Sequence, residues 1–345
     1  MQETNDTSIS LNEIRADEFR ELQINAYKND IARLHRRLDE FVAVSCPACG
    51  GQSSNYRFEK YKCKFVECNT CSTLFMSPRP TPAVMDDYYS NSENYAIWNK
   101  YIFPKSEASR REKICRPNLE RIIDECRRQG MEKPAFLEIG PGFGTFSALA
   151  KDSGFFSTVS VVERTPSMAE ACRAKGLHVI ESALEDVANE FFEAADVVVC
   201  FEVIEHVFEP IDFLAGVSRM LKPGGLFMFT CPNGKGFDTE MLREASPSVD
   251  TEHVNLFNPQ SAEVLLRRAG FEVMCAETPG RLDVELVRRA VLAKEVDLTG
   301  APFWQTLLLE EFETIGADFQ RFLVEHNLSG NMRVIARKTA NPDCL

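Results

Sequence analysis

Apolar positions along the chain fall into two patterns. From about residue 134 onward, short continuous apolar runs alternate with longer segments whose apolar residues return every three or four positions, as in buried parallel strands separated by helices. Phe136-Leu137-Glu138-Ile139, Val159-Ser160-Val161-Val162, His178-Val179-Ile180, Asp196 to Phe201 and Leu226 to Thr230 predict five strands, with a sixth over 271–275 and a seventh over 332–337. Thr165-Pro166 and Asn258-Pro259 open two of the intervening helices, with proline where a missing N–H costs nothing. Between the last two strands, 282–327 carries helical spacing such as Phe319, Phe322 and His326, which predicts an inserted helical lobe serving as a lid or a dimer surface.

The N-terminal part reads differently. Tyr27, Ile31, Leu34, Leu38 and Phe41 recur at helical steps, predicting one long helix over 11–41 with one apolar side, packed on the body rather than paired as a coiled coil. Cys46-Pro47-Ala48-Cys49 and Cys68-Asn69-Thr70-Cys71 then form two Cys-x-x-Cys pairs, a spacing that can close four thiolates tetrahedrally on one zinc ion. Such a closed site is structural. Cys63 is expected as a strand residue within 61–65. Ser77 to Pro82 holds three prolines and reads as an extended linker. Helices follow over 103–128, where Arg110, Arg111, Lys113, Arg116, Arg121, Arg127 and Arg128 are expected as a solvated face and the aromatics before them as core. These boundaries give a helical segment over 1–44, a zinc ribbon over 45–78, a helical cap over 79–133 and a main domain over 134–340 with its insert over 280–330.

Composition narrows the partners. The 345 residues are 44% hydrophobic, with a formal net charge of −13, which argues against a broad electrostatic grip on nucleic acid. Met1 to Asp6 has neither a cationic start nor an apolar core, and no apolar run approaches the roughly 20 residues of a membrane span, so a cytoplasmic location is expected. Twelve cysteines in that setting read as thiols and metal ligands.

The most informative stretch is Glu138-Ile139-Gly140-Pro141-Gly142-Phe143-Gly144. A strand ends in an acid, and three glycines at alternate positions lead into a helix start, a loop whose backbone can approach a flat ligand and whose carboxylate suits a positive one. Here the chain resembles the class I methyltransferases that use S-adenosylmethionine, in which this acid and these glycines surround the methionine part of the cofactor. The resemblance implies an α/β fold with a Rossmann-like seven-stranded sheet, helices on both faces. Glu163, at the end of the second strand, can bind ribose hydroxyls. Where that family usually has an aspartate for the adenine, this chain has Ala183, so Leu184, Glu185 or Asp186 is left to supply the contact. Phe201 and Glu202, closing the fourth strand, complete the expected cofactor set.

Glu202-Val203-Ile204-Glu205-His206 and Lys222-Pro223-Gly224-Gly225 stand where methyltransferases of the ubiquinone O-methyltransferase type have them. His253 lies in a later polar loop and suits a general base, because an imidazole titrates near neutrality. With Glu202 and His206 it forms the candidate catalytic set. Two further resemblances compete. Deoxysugar 3-C-methyltransferases carry a four-cysteine zinc module and a basic histidine in a segment matched by Glu252-His253, with Asp250 in place of their tyrosine. Small-RNA 2′-O-methyltransferases hold a divalent cation through residue types that Glu202, Glu205, His206 and His253 reproduce, which would bring Mg²⁺ or Mn²⁺. The expected acceptor is a small molecule, a sugar or nucleotide-linked sugar of surface glycan or secondary metabolism, methylated on oxygen or carbon. An RNA methyltransferase and a non-catalytic cofactor-binding adaptor are the other readings.

Overall fold

Strands form where the apolar runs lie. The computed structural model describes residues 9–14 and 17–339. Its strands are β1 (Ser54–Lys60), β2 (Cys63–Cys68), β3 (Leu74–Met76), β4 (Ala135–Ile139), β5 (Thr158–Val162), β6 (His178–Ile180), β7 (Ala195–Phe201), β8 (Leu221–Pro232), β9 (Asn255–Leu256), β10 (Phe271–Glu277) and β11 (Asn331–Lys338). They make a four-stranded sheet in the order β1-β2-β3-β9 and a seven-stranded sheet in the order β10-β11-β8-β7-β4-β5-β6. Strands β4, β5 and β6 pair in parallel, as do β7 and β8, whereas β11 runs antiparallel to both β8 and β10. The seven-stranded α/β sheet predicted above is therefore present. One strand begins earlier than predicted. Leu221 already pairs with Ala195, and the register then jumps so that Leu226 meets Val197, leaving Lys222-Pro223-Gly224-Gly225 as a bulge inside β8.

The chain divides into two compact units, one of residues up to Glu40 with Pro80–Val187, the other of Phe41–Arg79 with the chain from Ala188. In the first unit the predicted long helix is broken. Helix Leu11–Ile14 is separate from Arg20–Leu34, which passes into a 3₁₀ stretch, His35–Glu40, where Arg37 leaves helical geometry at φ −121° and ψ 20°. Residues 15 and 16, and 1–8 of the predicted N-terminal segment, lie outside the described residues. Ile31 and Leu34 are buried as expected, but so is Asp30. Its carboxylate accepts from the backbone N–H groups of Glu93 and Asn94, both at 3.0 Å, and from Ser92 Oγ at 2.6 Å, so it caps the helix Glu93–Ile97 from a neighbouring element. Several cationic residues of 110–128 pair with acids as a solvated face requires, Arg116 with Glu112, Arg121 and Arg128 with Glu125, and Arg111 with Asp152. Arg110 departs from that expectation, donating to Ser106 Oγ and the Ile14 carbonyl and lying over the rings of Trp98 and Phe103.

In the second unit the four-stranded sheet is the ribbon. Tyr61 and Lys62 have positive φ and form the β1–β2 turn rather than strand, so β2 starts at Cys63. The last strand of this sheet comes from far along the chain, as Leu74 pairs with Leu256 and Phe75 with Asn255. Phe58, Cys63, Phe65, Leu74 and Met76 share a core with Val249, Val254 and Leu256. Helices Asp283–Leu292 and Phe312–Glu325 belong to the insert, whose apolar core includes Val284, Val287, Leu298, Leu308 and Leu323. Both ends of the insert are fixed at the β10–β11 hairpin. Asp283 accepts from Gln320 Nε2 at 2.6 Å and from Ser329 Oγ and Gly330 N, while Asn327 Oδ1 accepts from Thr278 N at 3.1 Å. Among the described residues no helix is long and apolar enough to cross a membrane.

Because β9 is hydrogen-bonded to the ribbon, zinc removal should loosen more than the cysteine loops. In Cys68→Ser, hydrogen exchange at the amides of residues 253–257 should accelerate together with those of 72–76. Protection that persists at 253–257 while the cysteine loops open would separate the two.

Candidate active site and zinc centre

The four ribbon cysteines converge. Cys46 Sγ lies 3.5 Å from Cys71 Sγ and Cys49 Sγ 3.4 Å from Cys68 Sγ, and all four sulfurs fall within 4.8 Å of one another. Gly51 N and Thr70 N each donate to a cysteine sulfur at 3.4 Å, the contacts that steady a thiolate. Sulfur-only donors at this spacing fit a tetrahedral zinc with every position filled by protein. The Cys63 thiol begins β2 and is not in the cluster.

In the first unit, Glu138 lies one residue before the end of β4 as a buried carboxyl, bonded by Ser147 Oγ from the following helix. Burial pushes its pKa up to about 7 against the lowering effect of Ser147. Gly140, Gly142 and Gly144 all take positive φ, of 66°, 54° and 69°. At Gly144 a Cβ would meet Cys172 Sγ and Leu177 Cδ1 at 2.9 Å, so that glycine is needed for packing. At Gly142 a Cβ would meet nothing within 4 Å, leaving open space beside half-buried backbone. Buried Glu163 accepts from Thr165 N at 2.8 Å, and desolvation raises its pKa. Leu184 is buried and Glu185 exposed in the 3₁₀ turn Leu184–Asp186. Pro141 and Phe143 are half-buried. Phe143 packs on Phe103 at 5.1 Å, and Phe103 on Trp98 at 5.5 Å. Sequence spacing did not bring those two aromatics to the loop, because their helix is irregular at Trp98–Ile102.

In the second unit, β7 ends at half-buried Phe201, and Glu202 turns the chain at φ 53°. The Glu202 side chain is held outward, accepting from Thr230 Oγ1 at 2.7 Å and Asn331 Nδ2 at 3.1 Å. The 3₁₀ turn Ile204–His206 instead directs Glu205 inside, where both carboxyl oxygens are buried with no hydrogen-bond partner. Burial, then the Glu202 charge, pushes the Glu205 pKa well up. His206 lies against His253, ring centroids 4.7 Å apart, and ligand atoms of Glu205, His206 and His253 lie within 4.8 Å of one another. Glu202 is outside that group. His206 Nδ1 is 3.2 Å from the Glu252 carbonyl and His253 Nδ1 is 2.9 Å from the Ser248 carbonyl. A carbonyl can only accept, so in each ring Nδ1 carries the proton and the lone pair of the neutral imidazole is on Nε2. Burial, then His253, lowers the His206 pKa to about 3, so that ring stays neutral. Asp250 orders the loop, accepting from Glu252 N at 2.8 Å and His253 N at 2.7 Å, with Oδ2 3.4 Å from His253 Nδ1.

A seven-stranded sheet with its last strand reversed, and an acid–glycine loop after its first strand, define the class I methyltransferase fold. Residues 108–276 match the family model described as a methyltransferase domain, which identifies this stretch as a class I S-adenosylmethionine-dependent methyltransferase domain. It is 26% identical over 155 residues to the ubiquinone biosynthesis O-methyltransferase of Hydrogenovibrio crunogenus, covering 41% of this chain and 64% of that protein. With the enzyme of the same name from Pseudomonas savastanoi pv. phaseolicola the identity is 33% over 121 residues, 32% of this chain and 49% of that one. The chain thus spans about half to two-thirds of the length of these curated relatives. Among solved structures, the 1,6-didemethyltoxoflavin-N1-methyltransferase of Burkholderia thailandensis is similar at a TM-score of 0.47 with 12% identity, covering 83% of this chain and 99% of that one.

A cationic ligand beside Glu138 would favour its ionised form. S-adenosylmethionine affinity should therefore rise with pH until the free carboxyl, at about 7, is ionised. Calorimetry should find binding about tenfold tighter at pH 8 than at pH 6 in the wild type, and a flatter profile in Glu138→Gln. Gly142→Val, strained at positive φ and projecting into the open space, should weaken binding at least about tenfold. Equal affinity at both pH values would remove Glu138 from the contact.

Proposed function

We propose that the chain transfers a methyl group from S-adenosylmethionine to a hydroxyl or acidic carbon of a small molecule, a sugar or nucleotide-linked sugar, with His253 as general base. The observation that carries this reading is the hydrogen bond between His253 Nδ1 and the Ser248 carbonyl, which assigns the basic lone pair to Nε2. Asp250 Oδ2, 3.4 Å from Nδ1, supports the imidazolium formed when Nε2 takes a proton. Bound S-adenosylmethionine supplies a methyl carbon already activated by its sulfonium. Glu138, the glycines after it and Glu163 would hold the cofactor; Phe201, Glu202, Leu184 and Glu185 are proposed as its further contacts. His253 accepts the acceptor's proton as the new bond forms and the methyl–sulfur electron pair stays with sulfur. The net charge of −13 favours a small acceptor over RNA.

A second reading rests on Glu205, whose two buried oxygens lack partners beside two imidazoles. One carboxylate and two histidines fit a divalent cation, Mn²⁺ better than the harder Mg²⁺, held by Glu205, His206 and His253.

His253→Ala should lower turnover about 100-fold or more, with cofactor affinity unchanged. If chelation leaves wild-type activity intact, His253 acts as base alone. If activity instead depends on added Mn²⁺, and Glu205→Gln matches the loss in His253→Ala, the metal reading replaces it. Wild-type turnover in His253→Ala on the true acceptor would sink both.

A further inference from the structure

The second unit contains a cavity of about 300 Å³ beside the ribbon, whose wall includes Cys46, Gly50, Arg79, Glu209, Ile211 and Arg268. That volume is at the lower end for small-molecule sites. Its charged lining is unusual. Arg79 is 1% exposed, and it comes from the proline-rich stretch that reads in the sequence as a linker. Its backbone bridges Val42 in both directions at 2.9 Å, its Nη1 donates to Asn255 Oδ1 at 2.8 Å, and its guanidinium lies 4.9 Å from the Phe208 ring centre. Nε is buried with no acceptor, and among the described residues no carboxylate comes within ion-pair distance of this guanidinium, although the charges of Glu209 and Cys46 act on it from farther off. A buried guanidinium with no directly bonded carboxylate is costly, and its planar donors suit a bidentate oxyanion.

Arg268 adds a second charge. Its Nη1 donates to the Ala48 carbonyl, and it lies over Gly50, where a Cβ would come within 3.4 Å of Nη2. The helix Pro210–Met220 starts at the cavity, with Ile211 in its first turn. Early amides of a helix lack intrahelical acceptors and favour anions. Glu209 opposes this. It occupies the N-cap position without a side-chain capping bond and places one negative charge at the cavity.

We propose that this cavity binds a phosphate-type oxyanion, a phosphate ester or diphosphate, with the guanidinium groups of Arg79 and Arg268 as its principal donors. The rival account is that both arginines only balance the negative charge that four thiolates leave around a zinc ion, since Cys46 shares the wall. The proposal does not depend on the methyl-transfer reading. It also ties the oxyanion to the catalytic loop, because the same Asn255 that accepts from Arg79 donates through Nδ2 to the carbonyls of Ile204 at 3.2 Å and Val207 at 2.7 Å.

The test is calorimetric titration of the full, zinc-loaded chain with inorganic pyrophosphate, uridine diphosphate and uridine, at constant ionic strength in chloride. Pyrophosphate and uridine diphosphate should bind and uridine should not. Arg268→Gln should weaken binding about tenfold, and Glu209→Gln should tighten it about threefold, with zinc content and melting temperature unchanged. Both substitutions are at exposed residues, so neither depends on the core tolerating loss of Arg79. Much tighter binding of uridine diphosphate than of pyrophosphate assigns the site to a phosphate ester of a larger molecule, and equal binding assigns it to the inorganic anion. No binding by either anion, or binding indifferent to both substitutions, overturns the proposal. Loss of zinc from Arg268→Gln with no change in anion binding establishes the rival account.

Discussion

The pairing of β3 with β9 is the constraint on which the proposed chemistry depends. Two residue pairs, Leu74 with Leu256 and Phe75 with Asn255, join a sheet built around four cysteines to the segment that carries His253. Met76 N adds a hydrogen bond to the Val254 carbonyl at 3.0 Å, so the backbone is fixed on the residue after the imidazole. A two-residue strand has little stability by itself. Here it is held because Val254 and Leu256 enter the ribbon core and Asn255 is fully buried, bonded to Arg79 and to the turn bearing Glu205 and His206. A zinc ion held by the four cysteines would be structural by its donor set, yet the sheet it would steady includes part of the candidate active site.

Buried charge is handled in the same way in both units. Glu138 and Glu205 sit at or just after the ends of parallel strands, each taken out of water and each raised in pKa mainly by that burial. A carboxyl in this condition holds its proton more readily, and a positive charge beside it favours the ionised form. At Glu138 the ligand expected from the family is cationic; at Glu205 a proton or a divalent cation can meet the same requirement. An apolar residue of similar size would pack at either position without the desolvation cost.

Much of this was legible in the sequence, for identifiable reasons. Val197 to Cys200 is fully buried and reads as a continuous apolar run. Asn258-Pro259 promised a helix start, and Asn258 and Ser261 form a reciprocal capping box there. The paired cysteines announced their cluster. What failed was information that only tertiary contact supplies. Glu202 and Glu205 are three residues apart in a tight turn, and local sequence cannot say which of the two faces the histidines. β9 is too short to show alternation. Asp30 looks like one more polar residue on a helix, and Arg79 like one more charge between prolines, although both are buried at 1% exposure or less.

The insert between β10 and β11 has its two ends clasped by Asp283, Thr278 and Asn327 at a hairpin whose strands are already registered. Loop closure there is provided by the sheet itself, and the entropy of a longer or shorter excursion changes only with the logarithm of its length. The segment 282–327 can therefore vary in length at little entropic cost while the parallel strands stay as they are. Such a lobe is a replaceable fitting, one that the hairpin can carry in many forms without disturbing the sheet.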